Sequence, residues 1–177
     1  MIDSFVKPLL LVAHPDDCVI FGWPIIKKYN KAKWKIAYMT YDDATPRGAE
    51  IKNFWKHEDV EVDFCGVEDN YIDLENKKIV SFDKNIVADK LIAMTQGHDL
   101  IVTHGPSGEY GHPHHIFVNE VVCKLNVPKI YFSDGDNAHL RIETESMGEQ
   151  KLERLPLHRE VIEQFQHRYT GFYTNIK

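Results

Sequence analysis

The chain has 177 residues, with 27 acidic and 21 basic side chains, and carries a formal charge of -6 near neutral pH. Because no stripe of Lys and Arg is present to neutralise phosphates, the sequence argues against a nucleic-acid partner. No apolar run approaches the ~20 residues that a membrane span needs. A chain of this length buries roughly 70% of its unfolded surface, which predicts one domain over residues 1–177.

The cysteines and the first residues bear on the cellular compartment. Cys18, Cys65 and Cys123 are odd in number and widely spaced, which fits a reducing compartment better than a disulfide framework or a cysteine-rich zinc site. The N-terminus lacks the basic segment and the apolar core of a signal peptide. We therefore expect a cytoplasmic protein.

Apolar runs and helical patterns alternate along the chain. Strands are predicted at residues 9–13, 35–41, 60–65, 99–103 and 129–132. Helices are predicted at residues 19–29 (kinked or restarted at Pro24), 47–57, 82–96, 113–125 and 151–168 (broken at Pro156), with Thr45, Ser81 and His112 as N-caps. Residues 68–80 are interpreted as a loop with a small hairpin.

Such alternation, with mostly short connections, predicts a single-domain, Rossmann-like α/β sandwich with a mostly parallel sheet, because parallel neighbouring strands need crossover connections. The loops after the strands should then open on one edge of the sheet, at residues 14–17, 42–47, 68–71, 104–115 and 133–136. Many of the chain's histidines and carboxylates lie in these loops. We therefore expect the active site at the carboxyl ends of the strands.

The first of these loops is His14-Pro15-Asp16-Asp17, directly after an apolar run. Pro15 fixes its own φ and biases His14 toward an extended backbone, so the turn is stiff. A histidine and two carboxylates therefore stand where open α/β sheets bind ligands. A polar turn with an N-capping Asp accounts for the same residues equally well.

The second decisive loop, residues 103–115, contains three glycines, which let the backbone approach a ligand closely. Pro113 suits the first position of a helix, which makes His112 the cap and places His115 one turn in. His112 and His115 are three residues apart and can face the same way, whereas His114 should point elsewhere. Imidazole is the commonest ligand of transition metals. Taken alone, the loop also fits a histidine-rich helix start without a ligand.

The segments Ala13-His14-Pro15-Asp16-Asp17 and Gly111-His112-Pro113-His114-His115 together resemble the paired motifs of the PIG-L/LmbE family of metal-dependent de-N-acetylases. This family includes N-acetylglucosaminyl-phosphatidylinositol deacetylases and bacterial deacetylases of mycothiol and bacillithiol synthesis. The resemblance covers about residues 8–132, leaving residues 133–177 as a C-terminal lid and helices.

Other segments match the family in part. Arg47-Gly48-Ala49-Glu50 resembles its R-x-x-E, and Phe64-Cys65-Gly66 followed by Asp69 resembles its L-G-x-x-D. Three departures concern the substrate pocket more than the metal. These are Glu160-Val161 in place of S-Q in the terminal K…H-x-S-Q (Lys151, His158), Cys18 in place of Glu, and Asp42 or Asp43 where Gly is common.

The resemblance implies a cation held by His14, Asp17 and His115. Two nitrogens and one oxygen suit a catalytic Zn²⁺, although Fe²⁺ or another divalent ion would also fit. Bound Zn²⁺ can bring the pKa of a water to about 7.

The resemblance also implies the groups that move protons. Asp16 would be the general base for the attacking water and then the acid for the leaving amine. His112, if protonated, and Tyr110 would donate to the oxyanion.

For substrate binding, the resemblance implies Arg47. Asp69 is a further candidate for the sugar site, although an ordinary turn explains it as well. Arg47 would hold a phosphate or hydroxyl through its planar fork, although a surface Arg paired with Glu50 is the plainer alternative. His104 would either donate to a ligand carboxylate or simply pack. Since residues 134–150 are the only segment long enough to cover a substrate, we expect a small soluble N-acetylglucosamine derivative. The oligomeric state stays open.

Two other functions are compatible with the sequence. A different metal hydrolase, such as a phosphoesterase, would need a bridging carboxylate and a second metal, for which Asp42 and Asp43 are the only candidates. A sugar-binding homologue without activity would keep the fold, because α/β sheets host many chemistries.

Overall fold

The computed structural model describes residues 4–69, 72–73, 78–79, 82–133, 136–143 and 147–174. The strands are β1 (Pro8–Val12), β2 (Lys35–Thr40), β3 (Glu61–Val67), β4 (Ile72–Asp73), β5 (Lys78–Ile79), β6 (Leu100–Thr103), β7 (Lys129–Phe132), β8 (Leu140–Arg141) and β9 (Phe172–Thr174). The helices are α1 (Trp23–Lys28), α2 (Pro46–Lys56), α3 (Lys84–Met94), α4 (Gly108–Gly111), α5 (Pro113–Val122), α6 (Glu149–Leu152) and α7 (Arg159–Tyr169).

Seven strands form one sheet in the order β3-β2-β1-β6-β7-β9-β8, and β4 and β5 form the predicted small hairpin. The first five are parallel, whereas β9 runs antiparallel to both β7 and β8. The predicted α/β fold with a mostly parallel sheet is therefore confirmed. β9 was not predicted, because three residues are too few to show strand alternation.

The sheet has a buried layer on each face, which explains the unbroken apolar run of β1. Leu10 and Val12 pack in one layer with Trp55, while Leu9 and Leu11 pack in the other with Leu91. A central strand of a parallel sheet is covered on both faces and needs apolar residues at every position.

The chain between β1 and α1 differs from the prediction. Instead of one helix from Asp16 or Asp17, residues Cys18–Gly22 form a wide π-helical turn and α1 begins at Trp23. Pro24 lies in the first turn of α1. The N–H groups of a first turn make no hydrogen bond within the helix, so the N–H that proline lacks is not missed there. Such wide turns are frequently found at functional sites.

Two of the three predicted caps are present. The Thr45 hydroxyl accepts from the Gly48 N–H at 3.2 Å, and His112 Nδ1 accepts from the His114 N–H at 3.3 Å. The third helix is capped by Asp83, while Ser81 lies outside the described residues.

The C-terminal part supplies two strands and two helices to this fold. The predicted break at Pro156 falls between α6 and α7. Residues 136–143 contain β8, so part of the expected lid belongs to the edge of the sheet, while residues 134–135 and 144–146 lie outside the described residues. Within the described parts of the chain, no helix is both long and apolar enough to cross a bilayer.

Candidate metal centre

The site forms where two neighbouring parallel strands end. β1 leads into Ala13 and His14, and β6 leads into His104. The Ala13 N–H donates to His104 Nε2 at 3.0 Å, and the hydroxyl and N–H of Thr40 both donate to the Ala13 carbonyl. The end of β1 is thus held from both sides, which makes the following turn rigid.

His14, Asp17 and His115, the predicted ligands, point donor atoms at one position. His14 Nδ1 lies 3.2 Å from Asp17 Oδ2 and 3.2 Å from His115 Nε2, and the last two atoms are 3.3 Å apart. A tetrahedral Zn²⁺ with bonds of about 2.0–2.1 Å holds its donor atoms about 3.3 Å apart. The triangle therefore fits three protein ligands of a tetrahedral cation, with the fourth position open.

The far nitrogens of both histidines are held by carboxylates. His115 Nδ1 donates to Glu109 Oε2 at 2.7 Å, and His14 Nε2 donates to Asp69 Oδ1 at 3.0 Å. Each contact fixes the proton on the outer nitrogen and turns the inner lone pair toward the triangle, as carboxylates behind metal-bound histidines do.

The buried carboxylates and histidines of this cluster shift one another's pKa values. Burial disfavours a charged His14 ring, but hydrogen bonds and charges from Asp17 and Asp69 outweigh it and raise its pKa to about 9. Burial also opposes ionisation of Asp17, yet the His115 and His104 charges hold its pKa well below the usual value. A divalent cation would supply the same charge in place of these protons.

Glu109 is the central site residue that the sequence interpretation missed. Its side chain is fully buried, with Oε2 accepting from His104 Nδ1 at 2.9 Å and Oε1 accepting from the Gly105 N–H at 2.8 Å. Burial opposes its ionisation, but the two histidines lower its pKa to about 2. With a φ of 57°, Glu109 has the left-handed backbone that L-residues rarely adopt. The one sequence signal for Glu109 is an acidic residue between two glycines in a histidine-rich loop.

Asp16 is not one of the three groups of the triangle and pairs instead with Arg47. Its Oδ1 lies 3.3 Å from Arg47 Nη2, and the residue is almost completely buried. Burial and the Asp17 charge raise the pKa of Asp16, whereas the His14 and Arg47 charges oppose that shift. The structure thus separates the two adjacent carboxylates.

Arg47 and Asp69 belong to one hydrogen-bonded chain that reaches His14. Arg47 Nη1 donates to the Tyr41 hydroxyl at 3.1 Å, and that hydroxyl donates to Asp69 Oδ2 at 2.8 Å. Glu50, the plainer partner considered for Arg47, instead accepts from His158 Nδ1 at 2.7 Å.

His112 and Tyr110 lie at the rim. The His112 ring stacks on His115 at 4.5 Å, and the partly exposed Tyr110 ring stands edge-on to both and stacks on Phe165 at 5.2 Å. Burial and the charges of neighbouring histidines lower the pKa of His112 to about 2. The lowered pKa favours the neutral form of the ring, and the role of His112 as a donor to the oxyanion stays a prediction.

The expectation that His114 points elsewhere was wrong. His114 Nδ1 lies 3.0 Å from His14 Nε2, on the side of His14 away from the triangle. Because the His14 ring stands beside the start of α5, both His114 and His115 reach it from the same helical turn.

Cys18, where the family usually has Glu, lies behind the turn. Its sulfur accepts from the Tyr38 hydroxyl at 3.0 Å and from Trp55 Nε1 at 2.9 Å, and its S–H donates to the Pro15 carbonyl. Fully buried, it anchors the turn rather than contacting a substrate.

The fold and the site together define the class of this protein. It is an α/β protein that carries a candidate His–Asp–His metal centre at the carboxyl edge of a mostly parallel sheet. The model of one sequence family, PIG-L, described as GlcNAc-PI de-N-acetylase, matches residues 9–126. The chain therefore belongs to the PIG-L family.

A curated relative and two solved structures extend this comparison. An uncharacterized protein, L374, of Acanthamoeba polyphaga mimivirus is 27% identical over an alignment of 139 residues. The match covers 70% of this chain and 59% of the viral protein, so the chain spans less than two thirds of the length of that relative. An N,N'-diacetylchitobiose deacetylase from Pyrococcus horikoshii shares the fold with a TM-score of 0.67 and 15% identity, over 99% of this chain and 85% of its own. A 4-carboxy-2-hydroxymuconate hydratase from Pseudomonas putida has a TM-score of 0.56 and 12% identity, over 92% and 83%. At such identities the likeness shows the fold alone.

Proposed function

We propose that this chain is a metal-dependent hydrolase that removes the acetyl group from an N-acetylated amino sugar, giving the free amine and acetate. The observation that carries the proposal is the near-equilateral triangle of His14 Nδ1, Asp17 Oδ2 and His115 Nε2. Membership of the PIG-L family supports the reaction class. Zn²⁺ is the proposed cation, and the cytoplasm the proposed compartment, since all three cysteines are unpaired.

The residues around the triangle supply the other parts of amide hydrolysis. A Zn²⁺ held by His14, Asp17 and His115 would supply Lewis-acid chemistry, polarising the amide carbonyl and lowering the pKa of a water to about 7. Asp16 takes a proton from the attacking water and delivers it to the leaving amine, a role that suits a carboxylate with a raised pKa. His112 accepts at Nδ1, so its neutral ring carries its proton on Nε2 and donates there to the oxyanion. Tyr110 adds a second donor at the rim.

The proposed substrate is a small soluble N-acetylglucosamine derivative. A cleft of about 450 Å³ is lined by Tyr41, Thr45 and Asp69, among others, and Asp69 connects it to the triangle through its contact with His14. Such a volume suits a small-molecule ligand. Arg47, one hydrogen bond from Tyr41, is the cationic group that would contact a hydroxyl or a single phosphate.

A phosphoesterase with a bridging carboxylate is less well supported. Asp42 Oδ1 accepts from the N–H groups of Ala44 and Thr45 within its own loop, and Asp43 pairs with Lys52 on the surface. Neither carboxylate contacts the triangle, so the expected bridging ligand is lacking there.

The test is an acetate-release screen with metal-loaded protein. The substrates are N-acetylated monosaccharides, sugar nucleotides and short chitooligosaccharides, with Asp16→Asn protein as the matched inactive control. We expect acetate from at least one amino sugar and a large loss with Asp16→Asn. Binding of a sugar without acetate release would identify a sugar-binding homologue. If no compound either binds or releases acetate, the proposal is refuted.

A further inference from the structure

A cleft of about 860 Å³ lies at the amino ends of the strands, on the side of the sheet opposite to the metal centre. Its lining includes Lys35 and Glu61, the first residues of β2 and β3, and Lys7, which directly precedes β1. We call it the lysine cleft, because seven lysines and only three acidic residues line it. This local surplus of positive charge contrasts with the formal charge of -6 of the whole chain.

Four of the lysines in this lining are exposed and contact no carboxylate within the described parts of the chain. They are Lys7, Lys31, Lys33 and Lys56. The other three are paired, Lys27 with Glu58, Lys35 with Asp63 and Lys52 with Asp43. Like charges that share a cleft repel one another, and a bound anion offsets that repulsion. The unpaired lysines therefore favour an anionic ligand.

The ends of helices account for only one of these four lysines. Lys56 lies in the last turn of α2, where a cation interacts favourably with the helix dipole. Lys7 precedes β1, and Lys31 and Lys33 lie in the loop between α1 and β2, beyond the last turn of α1. Their convergence on one cleft is not explained by a helix dipole.

The backbone that carries these side chains is held in place. The Lys33 N–H donates to the Val6 carbonyl at 2.9 Å, and the Lys7 N–H donates to Asp99 Oδ1 at 3.0 Å. The Trp34 ring is buried, and its Nε1 donates to a carbonyl of its own loop at 3.0 Å. The charged groups are thus presented from a preorganised surface, which lowers the cost of ordering it around a ligand.

We propose that the lysine cleft binds a soluble small molecule that carries several phosphate groups, at a site separate from the metal centre. An ammonium group binds phosphate as a compact point charge, and several unpaired ammonium groups match several phosphates. A volume of about 860 Å³ is in the range of small-molecule sites. Among the described residues, no exposed large apolar side chain lines the cleft, whereas a protein that binds a membrane surface inserts such side chains.

The test measures binding of tripolyphosphate to the zinc-loaded protein by titration calorimetry. Wild-type protein is compared with the double variant Lys31→Gln/Lys33→Gln. The matched control is Lys84→Gln/Lys124→Gln, which removes two exposed lysines outside the cleft and changes the net charge equally. We expect one tripolyphosphate per chain in the wild type and the control, and an affinity at least about tenfold lower in Lys31→Gln/Lys33→Gln. Added NaCl should weaken binding in the wild type, because the lysines are exposed.

Competition by the metal centre is distinguished by the same comparison. Heat from tripolyphosphate acting on the bound zinc is common to all three proteins, so an equal affinity in all three would overturn the proposal. The absence of binding to the wild type would overturn it too, as would binding only to vesicles that contain phosphatidylglycerol. If Lys31→Gln/Lys33→Gln does not fold, Lys7→Gln/Lys56→Gln replaces it with the same expectation. Since no substrate is present, the result does not depend on acetate release.

Discussion

Asp16 and Asp17 are adjacent in the chain, yet their surroundings shift their pKa values in opposite directions. Asp17 Oδ2 accepts from the His14 N–H at 2.7 Å and faces two histidines, which lower its pKa. Asp16 faces Arg47, and burial beside the Asp17 charge raises its pKa. An ionised carboxylate is what a metal ligand requires, and a raised pKa is what a proton shuttle requires.

The first prediction separates these two roles. Asp16→Asn should keep the cation and lose about 10²–10⁴-fold in kcat, because it removes only proton transfer. His115→Ala should lose the cation itself. Bound metal and acetate release are measured on both variants. An empty site in Asp16→Asn with a full site in His115→Ala would reverse the assignments.

The second prediction concerns pH. The base must be ionised, so activity should fall as the pH drops through the raised pKa of Asp16. The Arg47 charge lowers that pKa, so Arg47→Gln should raise it further and move the acid limb of kcat/KM to higher pH. Lys52→Gln, which removes an exposed charge paired with Asp43, is the control and should leave the limb in place. If the acid limb of the kcat/KM profile stays at the same pH in Arg47→Gln, Asp16 is not the group whose ionisation controls that limb.

The third prediction concerns Glu109. Glu109→Gln keeps the size of the side chain, but its amide can accept only at one atom, so the proton position on His115 is no longer enforced. Zinc affinity should fall about 10–100-fold, as for other groups behind metal ligands. Competition with a chelator measures it, and unchanged affinity would show that Glu109 does not position His115.

At the scale of elements, α2 begins against the loop that precedes it. A Cβ at Gly48 would overlap the Asp42 carbonyl oxygen and crowd the Thr45 hydroxyl that caps the helix. Arg47 is the neighbouring residue, and this close approach places its guanidinium where it donates to the Tyr41 hydroxyl and to Asp16. The glycine in the R-x-x-E segment is therefore explained by packing.

The fourth prediction follows from that contact. Gly48→Ala should lower the free energy of unfolding by about 1–3 kcal/mol, the usual cost of overpacking. Gly148→Ala is the matched control, since a Cβ there meets no atom within 4 Å. Urea unfolding compares the two midpoints. Equal stability of both variants would mean that the loop moves without cost.

For the whole molecule, the sequence predicted most of the sheet because each central strand is a strongly apolar run between polar turns. All five predicted strands form, and the parallel order brings His14, Asp17 and His115 together from positions about a hundred residues apart. The short strands β8 and β9 were missed because two or three residues are too few to show a periodic pattern.

The residues behind the ligands were harder to predict. Glu109 depends on a left-handed backbone, and His114 depends on how the His14 ring is turned, neither of which spacing along a chain can specify. Asp69 was expected to contact substrate, and the structure also places it 3.0 Å from His14. Such contacts depend on the three-dimensional arrangement of loops.

We propose that one cation held by His14, Asp17 and His115 is required for deacetylation. The most direct test measures metal content and acetate release together in protein as purified, after chelator treatment and after return of one equivalent of Zn²⁺. We predict that activity follows the metal content, is lost with the cation and returns with it. Full activity in protein verified to contain no metal would show that deacetylation does not need the cation.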